Sequence, residues 1–186
     1  MAIAQRGLTL AEFLDLPAEE PALEYEYGRV IQKVSPKIHH SRIQKELLER
    51  LNRLAEPRKI ASAFPELRAT FGGHSYVPDI AVFRWARIPR DETGQLAADC
   101  FDPPDVAIEI ASPEQSVNFL TRRCVWYVEN GVGIALLVDP ADESVLMFRP
   151  NQPPRALRGA DRIDLTDVVP RFRLPVQELF ASLRMN

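Results

Sequence analysis

The chain has 186 residues, 46% of them apolar and 26% charged, with a formal net charge of -3. Those values suit one globular domain with a full core and exclude a molecule that holds polyanions through its overall charge. Its two cysteines, Cys100 and Cys124, form no CxxC pair, which excludes a disulfide framework or thiolate metal site and fits a reducing compartment.

Met1 to Leu16 contains Glu12 and Asp15 and no long apolar core, so it does not read as a signal peptide. The longest apolar run, Val132 to Val138, is too short for a bilayer. A cytoplasmic protein that does not enter membranes is the expectation. Leu8 to Leu16 reads as a short helix with Thr9 as N-cap and Glu12 completing a capping box. Glu24 to Val34 reads as two short strands around Tyr27-Gly28. After a loop holding Pro36 and His39-His40, the spacing of Ile43, Leu47, Leu51 and Leu54 predicts a helix over Ser41 to Ala55, with Ser41 and Gln44 as its capping box. From Lys33 to Arg68 there are nine Lys/Arg against four Glu. This local basic face on an acidic chain can hold phosphates, though a solvated helix face with ordinary ion pairs gives the same pattern.

Ile60 to Phe71 and Tyr76 to Trp85 read as two strands joined at Gly72-Gly73, and Arg87 to Pro104 as a long loop. Val106 to Ala111 is a continuously apolar strand apart from Glu109, as expected for a central strand. Ser116 to Glu129 is a helix closed by Asn130-Gly131, followed by strands over Gly133 to Asp139 and Glu143 to Arg149. The tail is Pro-interrupted and ends in a short helix from Val176 to Leu183. Strands interleaved with two long helices imply a mixed α/β or α+β sheet with helices on its faces, and the helix from Ser116 suits a crossover between parallel strands.

Glu109 is the most informative residue, because an unpaired carboxylate in a buried strand costs several kcal/mol or becomes protonated. Asp79 opens a second apolar run, Pro78 to Phe83. Two such acids on separate strands point to a shared cation, and their hard oxygens favour Mg²⁺ or Mn²⁺ over zinc. Such an ion could activate water and neutralise the charge that builds as a phosphodiester is cleaved. Arg122 and Arg123 follow on the next helix, and only one of two adjacent helical residues can point at a given site. A strand-entering acid that caps backbone N–H groups remains the plainer reading of Asp79. Asp105 reads as a solvated strand-end acid, Arg122 as solvated, and Tyr127 as a core residue.

These residues resemble the PD-(D/E)XK nuclease superfamily, and more closely its restriction endonuclease-like branch, the Uma-two family. The resemblance runs nearly end to end. It is carried by the Glu24…Gly28 turn, Ser35-Pro36…His40, Pro78-Asp79, Asp105 to Pro113, Tyr127…Gly131-Val132 and Val138-Asp139-Pro140. It implies a restriction-endonuclease-like mixed sheet flanked by helices, Mg²⁺-dependent DNA hydrolysis (Mn²⁺ as a substitute) and a homodimer. Asp79 and Glu109 would be the metal carboxylates, Glu24 would complete or tune the site, and the Ile110 carbonyl could add a ligand. Apart from the resemblance, the basic face would position the DNA backbone through His40, Arg42 and Lys45, with a satisfied loop histidine the plainer reading of His40. Where the superfamily's motif has lysine, two residues after Glu109, this chain has Ala111. The branch's alternative position, four residues before Tyr127, is Arg123, which keeps the charge but cannot act as a base. Tyr27 stands where the family often has Asp, and the interval from Asp79 to Glu109 is lengthened by Arg87 to Pro104. A catalytically inactive nucleic-acid-binding or assembly protein on this fold, and a metal-dependent hydrolase of a small phosphoester, are the alternatives.

Overall fold

A computed structural model describes residues 7–184. Met1 to Arg6, part of the segment read above against a signal peptide, and Met185-Asn186 lie outside the described residues. The first helix, α1 (Leu10–Leu14), has the expected capping box, with Thr9 and Glu12 bonding each other's backbone N–H. Strands β1 (Leu23–Glu26) and β2 (Arg29–Gln32) pair antiparallel through Tyr27-Gly28, both at positive φ. That turn suits the right-handed twist of a hairpin.

Helix α2 (Ile38–Ala55) starts three residues earlier than its sequence pattern suggests. Its N-cap is Lys37, and Ser41 already bonds back to the Lys37 carbonyl, so Ser41 is helical rather than a cap. The Gln44 amide, expected in a capping box, instead donates to Glu66 and to the Asp79 carbonyl. His39 and His40, expected in a loop, therefore belong to the first turn.

Each strand expected around Gly72-Gly73 is broken in two. The pieces are β3 (Ala61–Pro65), β4 (Ala69–Phe71), β5 (His74–Tyr76) and β6 (Ile80–Arg84). The outer pieces, β3 and β6, pair with each other in the main sheet, while β4 and β5 cross to a smaller sheet of order β2-β1-β5-β4. The break between β5 and β6 falls at Val77-Pro78-Asp79, where proline cannot donate to a ladder.

The main sheet continues with β7 (Val106–Ile110), β8 (Ile134–Asp139), β9 (Ser144–Phe148) and β10 (Arg155–Arg158), in the order β10-β9-β8-β7-β6-β3. Helix α3 (Val117–Glu129) is the crossover between the parallel strands β7 and β8, as its length suggests. The tail adds a hairpin, β11 (Arg162–Asp164) with β12 (Arg173–Pro175), and α4 (Val176–Ala181). Among the described residues, no helix is long and apolar enough to cross a membrane.

Alternate residues of the central strands feed two cores. Ile80, Val82, Ile108, Ile110 and Leu136 face α2 through Ile43, Leu47 and Leu51. Ala81, Phe83, Ala107, Ala111 and Leu137 face α3 through Leu120, Cys124 and Tyr127, with Phe71 and Tyr76 of the small sheet. Burial on both faces explains the continuous apolar run of β7. Glu109 falls on the α3 side.

Asp105 is not the solvated acid its position suggests. It is 2% exposed and accepts the Arg84 backbone N–H at 2.8 Å, the Arg87 guanidinium at 2.7 Å and the Arg84 guanidinium. These bonds pin the long loop to the start of β7. Asp105→Asn should cost about 2 kcal/mol, the value of a charge-assisted hydrogen bond, and urea unfolding measures it.

Candidate active site

Ile80 pairs with Ile108 across the antiparallel β6–β7 ladder, so the next step outward sets Asp79 opposite Glu109. The two acids therefore share a face of the sheet, in side-by-side strands, at 3% and 2% exposure. Helix α3 covers Glu109. Its sheet-facing residues Leu120, Arg123, Cys124 and Tyr127 recur at helical spacing, which brings one cation and one hydroxyl onto Glu109.

Asp79 is fully engaged. Its Oδ1 accepts the Lys33 ammonium at 2.8 Å, and its Oδ2 accepts the Ile110 backbone N–H at 2.7 Å and lies 2.9 Å from His40 Nε2. Burial works to raise its pKa, but the His40 hydrogen bond and the Lys33 charge outweigh it and hold the carboxyl below its ordinary value. Lys33 follows β2 and also reaches Glu66 at 2.7 Å and the Val77 carbonyl at 2.8 Å. Burial disfavours its charge, yet the carboxylates of Asp79, Glu109 and Glu66 raise its pKa above the ordinary value, so it stays an ammonium.

Glu109 accepts the Tyr127 hydroxyl at 2.6 Å and lies 3.7 Å from Arg123. Here burial, reinforced by Asp79, overcomes Arg123 and Lys33 and pushes the carboxyl up to about 7. Arg123 itself grips Glu24 with both terminal nitrogens, at 3.0 and 2.5 Å, and stacks over the rings of Tyr76 and Phe119. Glu24 also accepts the Val77 N–H at 2.9 Å.

The structure thus brings together Asp79, Glu109, Glu24, Arg123 and His40 of the expected residues. Ile110 contributes its N–H to Asp79. Arg42 and Lys45 are elsewhere. Arg42 bonds the Ser182 carbonyl and pairs with Glu46, and Lys45 pairs with Glu49, on faces of α2 turned away from His40 and Gln44. Ala111, on the same face of β7 as Glu109, packs in the core. Lys33 and Tyr127 were not singled out as site residues. Lys33 was counted only as one charge of a basic stretch. A lysine between Gln32 and Val34, at the end of a half-buried strand, was the available signal.

Donor chemistry decides which residues suit a metal. Among the described residues, no three His, Cys, Asp or Glu side chains are grouped to hold one. Mg²⁺ asks for less: one or two carboxylates, with water and substrate phosphate in its other positions. Asp79 and Glu109 fit that demand. Both oxygens of Asp79 already meet Lys33, the Ile110 N–H and His40, and both of Glu24 meet Arg123, so an ion at either acid would share or replace those partners.

The mixed sheet flanked by helices is a nuclease-like α+β fold. Residues 10–177 match the family described as "Uma2: Putative restriction endonuclease", and the chain belongs to that family. It is similar to a crystal structure described as "a putative nuclease belonging to DUF820", from Anabaena variabilis ATCC 29413. The TM-score is 0.92 with 41% identity, over 95% of this chain and 99% of that one. No curated protein matches.

Removing Arg123 leaves Glu24 and Glu109 buried without their cation. Arg123→Met should cost about 4 kcal/mol in urea unfolding, and adding Glu24→Gln should return part of that loss. The pH dependence has a defined sign. Folded Glu109 holds its proton up to about 7, against an ordinary 4.5, so stability falls as pH rises through that interval. Glu109→Gln should flatten the fall, read as unfolding midpoints at pH 5 and pH 8. Asp79 acts oppositely, and its contribution is lost as pH drops below its ordinary value.

Proposed function

We propose that this chain is a Mg²⁺-dependent endonuclease of the PD-(D/E)XK type that hydrolyses DNA phosphodiesters, with Asp79 and Glu109 as the metal carboxylates. The observation that carries this reading is an imbalance of charge. Three buried acids, Glu24, Asp79 and Glu109, make ion pairs with two side chains of fixed positive charge, Lys33 and Arg123, while Arg68 adds its charge near Glu24 and the exposed Glu66 draws on Lys33. Glu109 is the one left short, and an added cation would hold it ionised.

When bound, Mg²⁺ would polarise a phosphoryl oxygen and lower the pKa of a water. The protein's own groups supply the rest. Lys33 stays charged, so it lends a fixed positive charge in place of the lysine missing at Ala111; its three donors meet Asp79, Glu66 and the Val77 carbonyl, and it would reach a phosphate oxygen by releasing Glu66, its exposed partner. Lys33 lines a cleft of about 370 Å³ together with His40, Gln44 and Asp79. His40 holds Asp79 in orientation through Nε2. Arg123 is 5% exposed and committed to Glu24, so it is a positioning residue for the acids rather than a clamp on DNA. The Ile110 carbonyl remains a third metal ligand in this proposal.

Supercoiled plasmid with Mg²⁺ or Mn²⁺ tests the reading. Nicking is expected, with losses of about 10²-fold or more for Asp79→Asn, Glu109→Gln and Lys33→Met, and DNA binding retained in each. Metal-independent DNA binding without any cleavage would favour the inactive nucleic-acid-binding alternative. Turnover of a small phosphoester with no action on DNA would overturn the proposal.

A further inference from the structure

Two donors of the cleft beside Asp79 are spent on a single exposed carboxylate. Glu66 accepts the Lys33 ammonium at Oε2, at 2.7 Å, and the Gln44 amide at Oε1, at 2.9 Å. The remaining donors of both groups are committed inward. Lys33 gives one to Asp79 and one to the Val77 carbonyl, and Gln44 gives its other to the Asp79 carbonyl. An ammonium has three donors and a primary amide two, so each has one N–H left, and both of these point at Glu66.

The acceptor is the replaceable member of this trio. The Lys33 side chain is 10% exposed and that of Glu66 is 44% exposed, and an ion pair with so open a partner adds little to stability. Its removal strands no buried charge, because Lys33 keeps Asp79. Glu66 lies between β3 and β4 with a φ of 48°, a conformation that suits Gly or Asn better. Its N–H bonds the Asp79 carbonyl at 3.3 Å, which fixes the turn over the cleft.

A phosphodiester offers what the Glu66 carboxylate offers, two anionic oxygens on one atom, both acceptors for charged and neutral N–H groups. The surroundings suit it. Arg68 lines the same cleft and spends one N–H on Ser75 and one on the Leu23 carbonyl, out of five. Val34 and Pro36 give the wall an apolar stretch for a sugar. Glu19 and Glu20 also line the cleft, but both are exposed, where water and salt screen them.

We infer that Lys33 Nζ and Gln44 Nε2 form a seat for a phosphodiester, and that Glu66 is its resident occupant, displaced when a phosphate enters. Resting on the endonuclease reading, that phosphate belongs to DNA and lies one ammonium away from the Asp79 carboxylate. Glu66 is then a residue that sets affinity, by competing with substrate for two donors. The seat itself does not depend on catalysis.

The side-chain amide signal of Gln44, followed by NMR in the metal-free full chain, tests it with two probes: inorganic phosphate and a dinucleotide of two thymidines joined by one phosphodiester. Both should shift that signal. Glu66→Ala should tighten both by about tenfold, the gain expected when an occupant that holds the donors about nine-tenths of the time is removed. Glu66→Gln keeps an acceptor without the charge and should fall between, and it reads the same effect if alanine unsettles the turn. Adding Gln44→Leu to Glu66→Ala should take most of the gain away. With Mg²⁺ and plasmid, Glu66→Ala should lower KM more than it changes kcat. An unmoved Gln44 signal, affinity in both Glu66 variants no better than in the wild type, or a gain that survives Gln44→Leu would overturn the seat. Tighter dinucleotide binding in a chain that cleaves no DNA would sink the endonuclease reading alone.

Discussion

Arg123 is the contact on which the candidate site depends. Its guanidinium is buried with Glu24 on β1 and Glu109 on β7, and its plane rests on the rings of Tyr76 and Phe119. It therefore ties the small sheet, the crossover helix and the main sheet through one side chain. A buried charge is tolerable only when paired and hydrogen-bonded. The three elements are thus constrained to one arrangement, because any slip would strand a charge among Tyr76, Leu120 and Cys124. The second ion pair, Lys33 with Asp79, repeats the device where β2 meets the break between β5 and β6. Between them the two pairs place Asp79 and Glu109 side by side.

Two fixed cations for three acids is an economical way to prepare a site for a further positive charge. If the acids were fully matched, an incoming ion would have to displace a lysine or an arginine. If they were unmatched, the fold would lose stability or the carboxyls would be protonated. Here one carboxyl, Glu109, carries the deficit, while Asp79 stays ionised under Lys33 and His40. Tyr127 relieves part of the burden by donating to Glu109. A phosphodiester carries its own negative charge into such a site, so a second cation and a persistent ammonium at Lys33 serve the same purpose.

Much of this was legible in the amino-acid order, and the failures have physical causes. Glu109 betrayed itself because period-2 burial leaves no innocent place for an acid in Val106 to Ile110. The crossover between β7 and β8 followed from helix length, and the Thr9–Glu12 capping box from residue spacing alone. The start of α2 was misplaced because Ser41-Arg42-Ile43-Gln44 has the form of a capping box, while tertiary partners, Glu66 and the Asp79 carbonyl, claim Gln44. The strands around Gly72-Gly73 were read as two because periodicity cannot show that a strand changes sheets at Pro78. Asp105 was misjudged because its partners, Arg84 and Arg87, lie about 20 residues back in sequence. Strands β10 to β12 escaped notice because they are three or four residues long and lie among prolines. Lys33 went unseen as a site residue for a deeper reason. The motif places its lysine on β7 or on α3, whereas the fold delivers one from just after β2, 46 residues before Asp79 in the chain.

The shared cation is tested most directly by calorimetric titration with Mn²⁺ near pH 6, repeated in buffers of different ionisation enthalpy. Saturable binding accompanied by release of a proton, as Glu109 becomes a ligand, is the expected result, with both binding and release lost in Glu109→Gln. No saturable binding, or binding that survives unchanged in that variant, would show that Lys33 and Arg123 are the only cations this acid cluster was built to hold.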